Sequence, residues 1–476
     1  MTTVTVNAGG DVQKTLDDAK SSGSAVEIHL ERGATFTGNF VLPYREGTSR
    51  VTLRTAGELP EPSGVPWITP EQAQPYARLK AQDTQYPVLS CQDGAHDYTV
   101  DGIAFAPNVN NPERTHVELG RAEQTEWWQV PQRITMDRCY LSGDPNVGGR
   151  RGIGLHTGDS RITRCYMEKF FFGDEAQCIA SWAGPGPFWI EGNYLEGAGE
   201  NFITGGATAN IPGLIPSDLT FRLNKCFKPL DWKHLPNHLC KNLFELKVIQ
   251  RALIEFNIFE NCWVGGQDGH AIQLTVRNQD GNNPQNTVSD VTIRYNSIGY
   301  CEGFAFNLLG IDDTHPSVQG TNLTIHDNVI WSCQSGIQTS RPFLPTVIYH
   351  NTWLWAMWRN LAFGGESKYP DGTFTFRDNA VGSTESGITG DDAGLGLDAL
   401  NKYAPGHIFH TNVIEQPPNI PYPEGQLFTP KPSIASDGYW DYNTSQLVGP
   451  YPMGSDGRLV GCDMAKMRQT MPWAGL

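Results

Sequence analysis

The residues best suited to chemistry stand at the ends of short apolar segments. Ile179-Ala180-Ser181-Trp182, Phe244-Glu245-Leu246-Lys247, Leu274-Thr275-Val276-Arg277 and Phe306-Asn307-Leu308-Leu309 fall into one register, with Thr204-Gly205-Gly206 between them. Read as neighbouring strands, alternate positions face the same way, which puts Trp182, Gly206, Lys247 and Arg277 in one column. Lys228, Glu200, Glu245, Asp312 and Asp313 fall on or beside it. Such a column suits a sugar chain: Trp stacks on the apolar face of a pyranose ring, and Lys or Arg pairs with an acidic sugar. Gly205-Gly206 lets a ligand approach the backbone, and a carboxylate pair supplies acid/base chemistry. The expected catalytic set is Asp312, Asp313, Glu200 and Glu245; the expected binding set is Trp182, Gly205, Gly206, Lys228, Lys247 and Arg277. The competing reading is a cross-coil charge ladder in which Glu245, Lys247, Arg277, Glu200 and Asp312 neutralise one another on a solvated face.

A recurring phrase positions these segments. Apolar, polar, Asn, any residue, apolar appears around Asn193, Asn224, Asn257, Asn296, Asn328, Asn351, Asn379 and Asn412, with Cys139 and Cys165 in the Asn slot of two earlier copies. Successive anchors lie between 23 and 39 residues apart. A fixed phrase at a variable period is the mark of a solenoid whose coils share a strand and a corner but differ in loop length. Asn suits the corner because it tolerates left-handed dihedrals and can hydrogen-bond between coils. Cys262, Cys301 and Cys333 each follow their anchors by five residues, which predicts an inward ladder of free thiols. A β-sandwich does not repeat one polar residue at one phase.

Composition agrees. Of 476 residues, 51 are Gly and 32 Pro, too many turn formers for a helical protein of this length. With 39% hydrophobic and 18% charged residues the chain can bury a large core, so wholesale disorder is excluded. Lys+Arg 35 against Asp+Glu 51 gives a net charge of −16, which disfavours nucleic acid and anionic membranes as partners. No apolar run approaches the roughly 18 residues of a membrane span. The first residues, Met1 to Gly10, show no basic or apolar leader, so the expectation is cytoplasmic synthesis or a leader already removed. Val12, Leu16 and Ala19 at helical spacing predict a cap over residues 1–24, and the coils run over 25–415. Residues 416–476, rich in Pro and Gly (Gln416-Pro417-Pro418, Pro430-Lys431-Pro432), form an irregular cap or an extension that packs back.

The cap, the strand ending in Gly33 and the Asn-ended coils resemble the pectate-lyase-like, right-handed parallel β-helix superfamily. Gly199-Glu200-Asn201-Phe202-Ile203-Thr204, Lys241-Asn242-Leu243-Phe244 and Thr275-Val276-Arg277-Asn278 resemble a bacterial β-helix family of undefined activity. The resemblance implies an all-β, single-stranded parallel β-helix; the superfamily holds polysaccharide lyases, glycoside hydrolases, phage tailspikes and non-enzymatic surface proteins. Asp312-Asp313 matches the paired Asp of polygalacturonase-like hydrolases, but Gly269-His270-Ala271 lacks the final Gly of their Gly-His-Gly, and no Arg-x-Lys accompanies it. Arg277 answers the arginine base of pectate lyases without a compact Asp cluster to hold their calcium, so no cofactor is expected. His270 and His315 have no metal-ligand spacing. Trp127-Trp128, Trp353, Trp355 and Trp358 exceed what a narrow solenoid interior takes, and either stack sugars, bury a subunit interface or pack the core. The leading expectation is a glycan-directed, tailspike-like virion component acting outside a cell as a homotrimer, among other virion proteins. The alternatives are a free polysaccharide lyase or glycoside hydrolase, and a structural virion or surface protein without a ligand.

Overall fold

The computed structural model describes the chain from Met1 to Leu476 except residues 174, 355–356, 366–367, 383, 416–418, 430–433, 436–437, 442–445 and 448–451. Trp355, Gln416-Pro417-Pro418 and Pro430-Lys431-Pro432 thus lie outside the described residues. Two compact units, Met1–Cys240 and Lys241–Leu476, each consist of stacked parallel strands.

In the first unit the strands Thr2–Val6, Val26–Leu30, Val51–Thr55, His96–Asp101, Gln132–Asp137, Ser160–Thr163, Phe188–Glu191 and Ser217–Arg222 pair in that order, all parallel. After each corner comes a second row, Tyr140–Ser142, Tyr166–Phe170, Tyr194–Gly197 and Lys225–Phe227. A third row is Val117–Leu119, Arg151–Leu155, Gln177–Ser181 and Glu200–Thr204. Alternation decides which side faces in: Val26, Ile28 and Leu30 are buried while Glu27 and His29 are half-buried. The second unit repeats the scheme with Ile249–Glu255, Val288–Arg294, Thr321–His326, Leu344–Tyr349, Phe374–Arg377 and Ile408–His410. This is the parallel β-helix that the repeat and the resemblance predict.

The corner is a hydrogen-bonded ladder. In the first unit Asn193 donates Nδ2 to the Ile162 carbonyl at 2.9 Å, and both its backbone N–H and its Nδ2 donate to Asn224 Oδ1 at 2.9 Å. Where Cys replaces Asn the ladder weakens without breaking: Cys165 N–H donates to Asn193 Oδ1 at 2.9 Å, and Cys139 N–H to Cys165 Sγ at 3.4 Å. In the second unit the N–H of Asn257, Asn296, Asn328, Asn351 and Asn379 each donates to the Oδ1 of the next Asn, ending at Asn412. Asn412 then hands its N–H to Gln426 Oε1 at 3.1 Å.

One expectation is corrected here. The left-handed backbone lies at the residue before each Asn, not at the Asn: φ is +57° at Leu223, +56° at Phe256, +55° at Tyr295 and +53° at Asp327. The Asn is selected because one amide side chain supplies both the acceptor and the donor that a buried corner lacks.

The ends also differ in detail. The helix Val12–Ala19 forms with Asp11 as N-cap, buries Val12, Leu16 and Ala19, and is preceded by a strand already paired to Val26–Leu30. Coiling continues past 415, since Leu427–Thr429 pairs with Val413–Glu415. The last segment packs back on the second unit: Cys462 N–H donates to Thr352 Oγ1 at 2.9 Å and Ser455 Oγ meets Asp378 Oδ2 at 2.6 Å. Trp353 is buried and stacks on Phe376 at 5.5 Å, so it is core, whereas Trp127 and Trp128 are 54% and 69% exposed. All ten cysteines are free and buried, and Cys262, Cys301 and Cys333 stand opposite one another.

Two outcomes follow from this packing. Asn296→Ala orphans the buried N–H of Asn257 and the carbonyl of Ile254, which costs about 1–3 kcal/mol for each group; urea unfolding that shows no loss would remove the ladder as the organising interaction. Thiol titration should find all ten cysteines only after denaturation, without reductant; fewer would mean disulfides.

Candidate active site

The second unit holds Glu245, Lys247, Arg277, Asp312 and Asp313, and gives most of them structural partners. Asp312 accepts from the N–H groups of Asn278, Thr314 and His315 at 2.6, 2.8 and 3.3 Å, from Thr314 Oγ1 at 2.9 Å, and from Arg277 Nη1 at 3.2 Å. Burial pushes its carboxyl up, but these donors outweigh burial and hold it down at about 2. A group so stabilised as the anion neither donates a proton nor accepts one readily, which corrects the acid/base expectation for Asp312. Asp313 pairs with the same Arg277 guanidinium, which is therefore held between two carboxylates. Glu245 is buried, accepts from Asn242 Nδ2 at 3.1 Å and Thr275 Oγ1 at 3.2 Å, and lies 3.7 Å from Lys247 Nζ. The expected cationic pair is thus matched by carboxylates, Lys247 by a neighbour two residues back and Arg277 by Asp312 and Asp313.

Register accounts for part of the difference. Leu246 pairs with Leu274, but Arg277 N–H donates to the Lys247 carbonyl at 3.0 Å, so the pairing shifts by one residue after Leu246, Lys247 stands level with Val276 and Arg277 is one residue further on.

In the first unit Lys228 is fully buried, and its Nζ donates to the carbonyls of Gly197, Ala198 and Gly199 at 2.6, 2.8 and 2.9 Å. It caps a turn, and a sugar on the surface does not reach it. Glu200 is buried and accepts from Gln177 Nε2 at 2.9 Å. Arg151, Gln177 and Glu200 stack on successive coils, with Arg151 Nε and Nη2 donating to Gln177 Oε1 at 3.1 and 3.0 Å. Ser181 pairs with Thr204 and Gly205 N–H donates to Ser181 O at 2.7 Å, so Gly205 rather than Gly206 stands level with Trp182.

Trp182 leads to an open constellation. It lines a cleft of about 410 Å³ with Arg151, His156, Glu118, Glu123 and Arg150 among its walls. The Arg151 guanidinium sits 5.0 Å over the Trp182 ring, and the His156 ring meets Trp182 edge-on at 4.4 Å. His156 is 2% exposed, and its Nδ1 is sealed with no hydrogen-bond partner among the described residues. Burial and then Arg151 drive its pKa down to about 3, so the ring is neutral; the sealed Nδ1 favours the tautomer with the proton on Nε2. Glu118 is shifted the other way: burial raises its pKa and the charge of Glu123 raises it further, against the pull of Arg114, Arg151 and Arg121. Two carboxyl groups thus share the cleft, and burial first and Glu123 second move Glu118 in the direction a proton donor needs.

Sequence reasoning found Trp182 and missed the rest. The visible signal was Arg150-Arg151 running into Gly152-Ile153-Gly154-Leu155-His156, a dibasic pair entering a glycine-interleaved strand that ends on His. Glu118, on the strand Val117–Leu119 and level with Gly154, and Glu123, on the loop after it, carry no comparable mark, because a single Glu at such positions is the ordinary pattern of a solvated surface.

Asp312 provides a pH test of the structural assignment. Its folded-state pKa, about 2, lies below the ordinary 3.8, so its stabilisation is full above 3.8 and is lost as pH falls toward 2. Asp312→Asn should lower the melting temperature at neutral pH, with the gap to the parent closing on acidification; an equal melting temperature at neutral pH would show that Asp312 does not hold its loop.

No family model matches the chain, and no curated protein matches its sequence. Among solved structures, the PL6 family alginate lyase AlyGC superposes with a TM-score of 0.58 at 12% identity, over 97% of this chain and 58% of the lyase. The chain thus spans little more than half the length of that lyase. A mannuronic acid specific polysaccharide family 6 lyase from human gut microbiota has a TM-score of 0.43 at 12% identity, covering 90% of this chain and 92% of its own. The Dettilon tailspike protein has 0.39 at 11%, covering 81% and 68%; neither score carries an argument. The stacked parallel strands, the corner ladder and the superposition over nearly the whole chain together give this protein the parallel β-helix fold.

Proposed function

We propose that this protein acts on a glycan, and that the cleft of the first unit is where a sugar chain binds and is hydrolysed. The observation that carries the reading is the meeting of Trp182, Arg151, neutral His156 and Glu118 in one open cleft. Trp182 offers its face to a pyranose ring, His156 Nε2 offers a hydrogen bond to a hydroxyl, and Glu118 with its raised pKa is the proton donor to the glycosidic oxygen. Glu123, more exposed, is the carboxylate partner that activates water. The superposing lyase is named for alginate; with Glu118 protonated the cleft sets Arg114, Arg150 and Arg151 against Glu113 and Glu123, a small positive balance that suits a neutral or weakly acidic chain. The expected choice of an acidic sugar by Lys247 and Arg277 gives way to this, because both cations already face carboxylates. The setting we propose is extracellular or on a phage particle, as a tailspike-like homotrimer.

Screening a glycan array and then assaying depolymerisation tests the reading. Glu118→Gln should lower turnover by about 10²–10⁴-fold while binding is kept. In the parent, activity should fall as pH rises through a pKa above the ordinary 4.5, because protonated Glu118 is the active form. Trp182→Ala should weaken binding by about 0.5–1.5 kcal/mol with little dependence on salt. Glycan turnover unaffected by Glu118→Gln would move the chemistry elsewhere, and a stable monomer by light scattering at micromolar concentration would replace the tailspike-like trimer with a free enzyme.

A further inference from the structure

One loop of the first unit has two sides. Gln124, fully buried, donates its Nε2 to the carbonyls of His156 and Ala183 at 3.1 and 3.3 Å, which ties the loop to the floor of the cleft beside Glu123. A few residues on, Trp127–Gln129 form a single helical turn that leaves Trp127 54% and Trp128 69% exposed. This turn is held firmly. Gln129 Oε1 accepts from the N–H groups of Thr125 and Glu126 at 2.8 and 3.0 Å, and its Nε2 donates to Asp93 at 3.1 Å. Arg121 grips the same Asp93 with two hydrogen bonds at 2.8 and 2.6 Å. Gly94, at φ +67°, donates its N–H to the Gln129 carbonyl, and a Cβ there would come within 2.9 Å of Trp128 O and 3.4 Å of the Tyr44 ring. Glycine thus lets the turn settle beside Tyr44, itself 51% exposed.

We propose that Trp127, Trp128 and Tyr44 form a second sugar-binding site, a stacking platform for the part of the glycan chain that lies outside the cleft. The inference rests on the glycan reading and extends it. A cleft of about 410 Å³ holds only a short stretch of a polymer, so the chain must leave it along the surface. The loop that forms one wall of the cleft carries the two indoles, and its ties fix the backbone that bears them before any ligand arrives, which lowers the entropy cost of binding. A second copy of this chain fits the platform less well. Two indoles and a phenol expose at most about 150–250 Å² each, short of the roughly 800 Å² per partner of a stable interface. The polar and charged neighbours Thr125, Glu126, Gln129 and Arg121 suit the hydroxyls around a stacked ring.

Native gel electrophoresis in gels containing dextran, galactomannan, xyloglucan or alginate tests the platform. The parent should be retarded in at least one gel, and the double variant Trp127→Ala/Trp128→Ala should need about tenfold more polymer for the same retardation, a loss of about 1.4 kcal/mol. Trp127→Phe/Trp128→Phe, which keeps aromatic faces, should recover most of that loss. Thermal melting equal to that of the parent would confirm that the exposed positions are replaced without unfolding; for a variant that melts lower, the Phe pair supplies the comparison at matched stability. Retardation of the Ala pair equal to the parent overturns the platform and leaves the cleft reading standing. A parent not retarded in any gel overturns both. Self-association of the parent that the Ala pair abolishes, with retardation unchanged, gives the surface to a second copy instead.

Discussion

The corner ladder is the constraint on which the rest of each unit depends. A parallel coil must turn sharply after every strand, and the turn is made by a left-handed residue that is seldom glycine: Leu223, Phe256, Tyr295 and His350 all adopt it. Such a backbone costs on the order of 1 kcal/mol per position and leaves amide groups that cannot reach water. The following Asn answers both problems at once, because its carboxamide accepts from one coil and donates to another. Coils of unequal length can then stack in register, since the corner is fixed while the loops opposite are free to differ.

That freedom separates residues that hold the fold from residues that face solvent. Charged side chains on a β-helix lie close to their neighbours in the adjacent coils, and most find partners there. Lys228 closes a turn, Asp312 staples a loop and Glu245 is bonded by Asn242 and Thr275. Each would pass for a catalytic residue by type and position, and each is occupied. The chemistry offered by a side chain is set by what remains unsatisfied once the fold is made, and the cleft around Trp182 keeps such capacity: a neutral imidazole with one sealed nitrogen, and a carboxyl whose pKa is raised by burial and then by a second carboxylate.

The cleft also shows how loops acquire function on a regular scaffold. Arg151, Glu118 and Trp182 stand on or beside strands, with Glu118 level with Gly154, and are fixed by register, whereas Glu123 arrives with the irregular segment that follows Val117–Leu119. The scaffold contributes position, rigidity and one carboxyl group, and the loop contributes the second. Gln124 joins the two by spending both donors of its amide on carbonyls of the coils beneath.

The amino-acid sequence by itself determined the parallel β-helix, because a repeat at fixed phase is local information: the apolar alternation, the Asn at the corner and the thiols five residues after their anchors recur in every coil that bears them. It also marked Trp182. Which residue turns left-handed, which strand pairs at which offset, and which charges are already matched were decided only by the tertiary structure. A one-residue shift at the end of a strand leaves no mark in the pattern of apolar residues, yet it sets Lys247 level with Val276 and takes it off the position beside Arg277. Glu118 and His156 lie far apart in the chain and become neighbours of Trp182 only when successive coils stack, so no spacing in the sequence could reveal the cleft they line.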